Sequence, residues 1–365
     1  MSSDAMTSGI PESAGGDEAN GGGGLPRPAL ARLPDVARRA GVSTATVDRV
    51  LNKRPGVRPV TVQRVLKAAA ELNYILESEI APPVAPLRLV FLLPAGTNRF
   101  LGLLGRLIAS GAPDLAERQI HAKVEYIKSF SPDLLARALL QHGKSADGIA
   151  FMALEHPAVR EAVNALADKG VPTVTLISDL GAAKRVACIG LDNRSAGRTA
   201  GSLIARFIGA RPGKVAMIAG SLSYRAHEER EMGFLHLFEE MYPQIEVVGL
   251  REGQDDEARN YRQTRQFLAK HPDLAGIYNI GGGAAGVGKA LREMRRTDVV
   301  FVGHGLTPDT RALLLDGTMD AVITQNPESA IQSCVGIFSN LRAGRDPMMG
   351  IAPPRIDIVL RENLP

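Results

Sequence analysis

Cysteine is almost missing from this chain. Cys188 and Cys334 stand 146 positions apart with no partner spacing, which excludes a disulfide scaffold and a zinc knuckle. No apolar run reaches the roughly 18 residues that a membrane-spanning helix needs. The N-terminus lacks a positive-then-apolar pattern, so no secretory leader is expected and the chain is expected in the cytoplasm. Seven histidines are scattered, with no H-E-x-x-H and no pair at metal spacing, and no G-x-S-x-G elbow occurs. Glu228-Glu229 and Asp255-Asp256 are adjacent acids, which point to different sides of a helix and read as solvated. No catalytic residue, metal or cofactor is therefore expected.

What is present is an ordinary globular composition with an uneven charge. The 365 residues are 45% apolar and 22% charged, enough for two or three domains with ample core. Residues 1–26 carry four acids and no base, whereas residues 27–74 carry ten Arg and Lys against Asp35, Asp48 and Glu71. A basic segment on a nearly neutral body is an electrostatic footprint for nucleic acid.

Residues 1–28 hold seven glycines and little that is apolar, so they are expected to form a disordered tail. Residues 29–74 read as a small all-α headpiece, and 75–86, with three prolines near its end, as a hinge or linker. From 87 to 365 short Val- and Ile-rich runs alternate with amphipathic stretches. The runs are 89–93, 124–127, 148–152, 171–177, 186–189, 215–219, 246–250, 276–280, 299–302 and 321–323. Strands apolar on both faces and separated by helices predict two doubly wound parallel α/β lobes. Lobe 1 is expected at about 87–191 plus 320–340, and lobe 2 at about 192–319 plus the C-terminal end. Ligands in such folds bind beyond the carboxyl ends of the strands.

The headpiece pattern is a helix from Pro34 to Ala40, a stop at Gly41, and a second helix over 44–52 that Ser43 caps. Val47, Val50 and Leu51 share one face of that helix; Thr44, Ala45, Asp48, Arg49 and Asn52 share the other. A third helix over 59–73 buries Val62, Val65, Leu66, Ala69 and Leu72. A glycine turn followed by a capped helix with small polar residues at its start describes a helix-turn-helix that reads the major groove. The predicted DNA contacts are Ser43, Thr44, Ala45, Thr46, Arg49, Asn52 and Lys53.

The run 33–52 (LPDVARRAGVSTATVDRVLN), then 57–61 (VRPVT) and 69–74 (AAELNY), resembles the headpiece of the LacI/GalR family of bacterial repressors. The two-lobed body resembles the periplasmic sugar-binding fold of that family, closest to ribose-binding proteins, so the resemblance spans about 330 residues. It implies an operator-binding homodimer, a repressor, with a sugar-like effector between the lobes. Two headpiece features depart from it. Asp48 stands where a serine is usual, and 75–83 lacks the Ala-Arg-x-Leu element that wedges into the minor groove.

The same resemblance nominates the effector contacts. Asn98 and Phe100 follow the first strand, with Phe100 as an apolar floor. Arg230 matches an arginine that hydrogen-bonds the ligand, and Gln325 a glutamine in the last crossing between lobes. Asn279 and His304 stand near further ligand positions. Gly305 and Ile177 replace acids, so the cleft is richer in donors than a sugar site usually is, unless Asp179, Asp192 or Glu155 supplies the missing carboxylate. Such a cleft accommodates a sugar, a polyol or a sugar acid.

Two other readings compete: a stand-alone sugar-binding protein and a nucleotide-dependent enzyme. Residues 281–286 satisfy G-x-G-x-x-G, and 283–289 the P-loop spacing. However, no acid follows the next strand for a ribose, and Ala290 replaces the Ser or Thr that holds magnesium. These glycines are expected to form a strand-to-helix turn lining a cleft.

Overall fold

The computed structural model describes residues 31–52, 54–72, 74, 85–209 and 211–365. The expected tail 1–28, the DNA candidate Lys53 and nearly all of the expected hinge lie outside the described residues. The chain divides into two compact units, 1–84 and 85–365.

The first unit is three helices, α1 (Leu33–Ala40), α2 (Thr44–Leu51) and α3 (Pro59–Glu71). Gly41 ends α1 in the left-handed region at φ 63°, and its N–H returns to the last carbonyls of that helix, a conformation in which a Cβ is costly. Val36, Val47 and Val65 are fully buried at the centre of the unit, with Ala37, Ala40, Val50 and Ala69 around them. Arg39 on α1 reaches Glu71 on α3 at 2.7 Å.

In the second unit every expected apolar run is a strand. β1 (Leu87–Ala95), β2 (Ile120–Lys128), β3 (Gly148–Phe151), β4 (Thr173–Leu176) and β5 (Ala187–Ile189) form a parallel sheet ordered β2-β1-β3-β4-β5. β6 (Gly213–Ala219), β7 (Ile245–Glu252), β8 (Leu274–Asn279), β9 (Val300–His304), β10 (Ala321–Thr324) and β11 (Asp357–Val359) form the other sheet, ordered β11-β10-β9-β8-β6-β7. That sheet is parallel except for β11, an antiparallel edge strand that the apolar pattern did not predict.

The period-2 alternation of the strands sorts side chains into a core on each face. Along β6, Val215, Met217 and Ala219 join Ile204, Phe234 and Phe238, whereas Ala216 and Ile218 join Phe267, Val287 and Phe301 on the opposite face. Between the strands run α4 (Arg99–Glu117), α5 (Pro132–His142), α6 (Pro157–Asp168), α7 (Asn193–Phe207), α8 (Arg225–Met241), α9 (Glu257–Lys270), α10 (Ala284–Glu293), α11 (Pro308–Leu315) and α12 (Pro327–Arg342).

One lobe boundary is corrected. β10, expected in the first lobe, hydrogen-bonds β9 in the second sheet. Only α12 returns to the first lobe, where Cys334, Ile337 and Phe338 are buried in its core. The chain therefore crosses at Gln325-Asn326, after the strand rather than before it. A short run such as Ala-Val-Ile fits either sheet equally well, and only its pairing partner decides.

Candidate functional site

On the headpiece, Ser43 caps α2 by accepting from Thr46 N at 3.2 Å. The Thr46 hydroxyl bonds back to Ser43 at 2.9 Å, so this nominated DNA contact also serves the cap. Thr44, Ala45, Arg49 and Asn52 are exposed, and Val47 and Val50 are buried, as the two-face reading of the helix requires. Asp48 is engaged within the headpiece: it accepts from Asn52 Nδ2 at 2.8 Å and from Arg54 Nη1 at 3.1 Å. The carboxylate that departs from the family pattern thus holds two groups of the outward face in place.

In the body, a narrow cavity that opens to solvent lies at the strand ends between the two sheets. Five of the six nominated effector residues line it: Asn98, Phe100, Arg230, His304 and Gln325. The sixth does not. Asn279 is fully buried and donates to the carbonyls of Gly281 and Gly282 at 2.9 and 3.1 Å. With Asn260, which donates to Gly282 and Gly283, it clamps the glycine turn that lines the cavity. The G-x-G-x-x-G match is therefore a wall of the cleft.

Arg230 is placed by an unusually close helix crossing. A Cβ on Gly197 of α7 would lie 2.0 Å from Arg230 O, and one on Gly233 of α8 would lie 2.0 Å from Arg194 O. Only glycine allows backbones to approach so closely. The crossing brings Asn193 of α7 to Arg230 of α8, where Nε donates to Asn193 Oδ1 at 2.9 Å and Nη1 to Ile280 O at 3.0 Å. Burial lowers the affinity of this guanidinium for its proton.

His304 and His227 also line the cavity. His304 Nε2 lies 2.6 Å from Tyr278 Oη, and burial first, then the charge of Arg230, holds its pKa well below the usual imidazole value. Burial pushes His227 down to about 4, so both rings are neutral near pH 7. Phe100 packs on Gly305, where a Cβ would come within 3.2 Å of Phe100 Cβ. The glycine that replaces the expected acid makes room for the ring. Ile177, at the other expected acid position, lies in the left-handed region at φ 65°, a conformation of high cost for a β-branched residue.

Asp255 was read as solvated, and the structure corrects that reading. It is 6% exposed, accepts from Gly282 N at 2.6 Å and from Asn98 Nδ2 at 3.0 Å, and its carbonyl accepts from Thr97 Oγ1 at 2.7 Å. It therefore ties the start of α4 in one lobe to the glycine turn of the other. Tyr224, just before α8, reinforces the join: it is buried in the first-lobe core, edge-on to Phe130 at 5.5 Å. No sequence spacing indicates these contacts, because Asp255 depends on two loops distant in the chain. The three acids named as substitutes for the missing carboxylate are all engaged elsewhere. Asp179 pairs with Arg185, Asp192 caps α7 through Ser195 N, and Glu155 holds Arg160 and Gly181 N.

A capped helix-turn-helix unit followed by a two-lobed body with a cleft between its sheets defines the class. The model of the lacI family of bacterial regulatory proteins matches residues 32–76, and that of the periplasmic binding protein domain matches 133–346. The chain belongs to the periplasmic-binding-protein family through its body, and its headpiece carries the match to the lacI-family model. It is 28% identical over 172 residues to the ribose import binding protein RbsB of Escherichia coli, covering 47% of this chain and 57% of that protein. It is 29% identical over 263 residues to the HTH-type transcriptional repressor PurR of Serratia proteamaculans, covering 67% and 71%. A glucose-galactose binding protein of Geobacillus stearothermophilus, GanP, superposes with a TM-score of 0.69 at 24% identity over 77% of this chain and 99% of that one. The match to RbsB thus spans little more than half of that protein's length. Among the described residues no helix is long and apolar enough to cross a membrane.

Proposed function

We propose that this chain is a DNA-binding transcriptional regulator, a repressor, that works as a homodimer. A small sugar-like effector held between the two lobes sets its affinity for operator DNA. The observation that carries this reading is the coexistence in one chain of an outward helix face with an exposed Arg49 and a cleft built around a buried arginine. A dimer would set two α2 helices in successive major grooves, with base contacts from Thr44, Ala45, Arg49 and Asn52 and backbone contacts from the basic residues around them. The lacI-family match and the similarity to a repressor support this assignment.

The glycine turn favours a sensor over a nucleotide enzyme. Its Gly282 N–H already bonds the Asp255 carboxylate, and that negative charge repels a pyrophosphate from the place where a dinucleotide site would hold it. The headpiece likewise favours a regulator over a stand-alone sugar-binding protein.

The test is selection of bound duplexes from a random pool by the full-length protein. Near-palindromic sites with half-sites about one helical turn apart are expected. Effector is expected to change operator affinity by a factor of about 5 to 150, and operator to change effector affinity by the same factor. Recovery of no preferred sequence would refute the regulator reading.

A further inference from the structure

Resting on that sensor reading, we infer that the effector is a compact hydroxy acid. Its carboxylate pairs with Arg230, and at least one of its hydroxyls donates to Gln325.

The cavity presents two groups that the protein leaves incomplete, of opposite hydrogen-bonding sense. Arg230 is 7% exposed, and its two hydrogen-bond partners, a carboxamide oxygen and a backbone carbonyl, are both neutral. Among the described residues no carboxylate forms an ion pair with it. The acids around the cleft are committed elsewhere: Asp255 to Gly282 and Asn98, Asp309 to Arg99, and Glu229 to Arg225. A buried cation with no carboxylate in contact, reached by the charges of Asp255 and Glu229 only from a distance, is costly and favours a ligand that brings one. Its Nη2, free of any partner among the described residues, is the donor that remains for a carboxylate.

Gln325 is 5% exposed, and its Oε1 has no hydrogen-bond partner among the described residues. A buried acceptor of this kind needs a donor, which a ligand hydroxyl provides. A neutral sugar satisfies Gln325 but leaves Arg230 without a contacting carboxylate, whereas a simple anion does the reverse. One molecule that carries both groups completes the site. Phe100, Met152 and Ile177 supply an apolar wall for its carbon chain. The two neutral imidazoles add no charge that would compete with the pairing.

The test is a binding titration of the full-length protein with aldonates, uronates and aldarates of four to six carbons. Each acid is compared with its parent aldose, its alditol and, for uronates, its methyl ester. At least one acid is expected to bind about tenfold or more tightly than its neutral counterparts. The ester removes the charge without touching the protein, so this arm holds even if an Arg230 variant fails to fold. Arg230→Gln is expected to abolish the advantage of the acid over the ester. Gln325→Leu is expected to weaken acid and ester alike, leaving that advantage intact. If neutral sugars bind as tightly as the acids, or the acid advantage survives Arg230→Gln, the hydroxy-acid inference falls and the sugar-sensor reading stands. If no member of the panel binds, both fall.

Discussion

The crossing of α7 and α8 sets the geometry of the binding site, and alanine substitution tests it. Gly197→Ala and Gly233→Ala each place a Cβ 2.0 Å from a backbone oxygen of the facing helix. Ordinary carbon–oxygen contacts between helices lie near 3.3 Å or more, so the helices must separate by more than about 1 Å. Backbone cannot rotate aside as a side-chain tip can. Phe234 and Phe238 of α8 pack in the core formed with Ile204 of α7, so separation also opens a void. Overpacking of this kind costs about 1–3 kcal/mol or more, and in a domain of this size each kcal/mol lowers Tm by about 2–4 °C. Gly111 on α4 is the control, because nothing lies within 4 Å of a Cβ there. Gly111→Ala is expected to stabilise by about 0.5–1 kcal/mol, since only helix propensity changes. Differential scanning calorimetry reads both signs. The crossing variants are also expected to lose ligand affinity, because the 2.9 Å bond between Arg230 and Asn193 spans the two helices. If Gly233→Ala or Gly197→Ala melts at or above the wild-type temperature, the close crossing does not position the site.

Three further outcomes are expected. Arg49→Ala should relax base preference at one position per half-site and cost about 1–3 kcal/mol, and an unchanged consensus in the duplex selection would refute its base-reading role. Asp255→Asn should lower Tm and weaken the closed state of the lobes, because Asn keeps one accepting oxygen where Asp uses two, for Gly282 N and Asn98 Nδ2, and each charge-assisted bond contributes about 1.5–3 kcal/mol; small-angle scattering that gives wild-type dimensions and a wild-type melting curve would contradict it. Acid should destabilise the body in a defined window. His227 titrates near 4 in the fold and near 6.5 unfolded, so the unfolded chain binds the extra proton and stability falls as pH drops from about 6.5 towards 4, by at most about 1.4 kcal/mol per pH unit. Urea unfolding at pH 7.5, 6 and 5 measures this slope, to which buried His304 adds in the same direction, and His227→Asn should reduce it; a slope that His227→Asn leaves unchanged would assign it elsewhere.

Local chemistry was legible in the amino-acid sequence wherever one short segment contains all the information. The helix-turn-helix follows from Gly41, the Ser43 cap and the 3.6-residue spacing of Val47, Val50 and Leu51, and the strands follow from short Val- and Ile-rich runs between amphipathic helices. Arg230 and Gln325 were nominated only through the resemblance of their segments to the sugar-binding fold. Tertiary structure alone decided features that need two distant segments to meet. β10 joined the second sheet because β9 supplies its hydrogen bonds, although its own residues suit either lobe. Asn279, nominated as a contact, became a clamp because its amide fits the carbonyls of the turn two residues onward. Asp255 appeared in the sequence as one of two neighbouring acids, and became the tie between lobes only because folding brings Asn98 and Gly282 to it. A hydrogen bond requires a partner at about 3 Å, and apolar periodicity does not encode which distant polar group will arrive there.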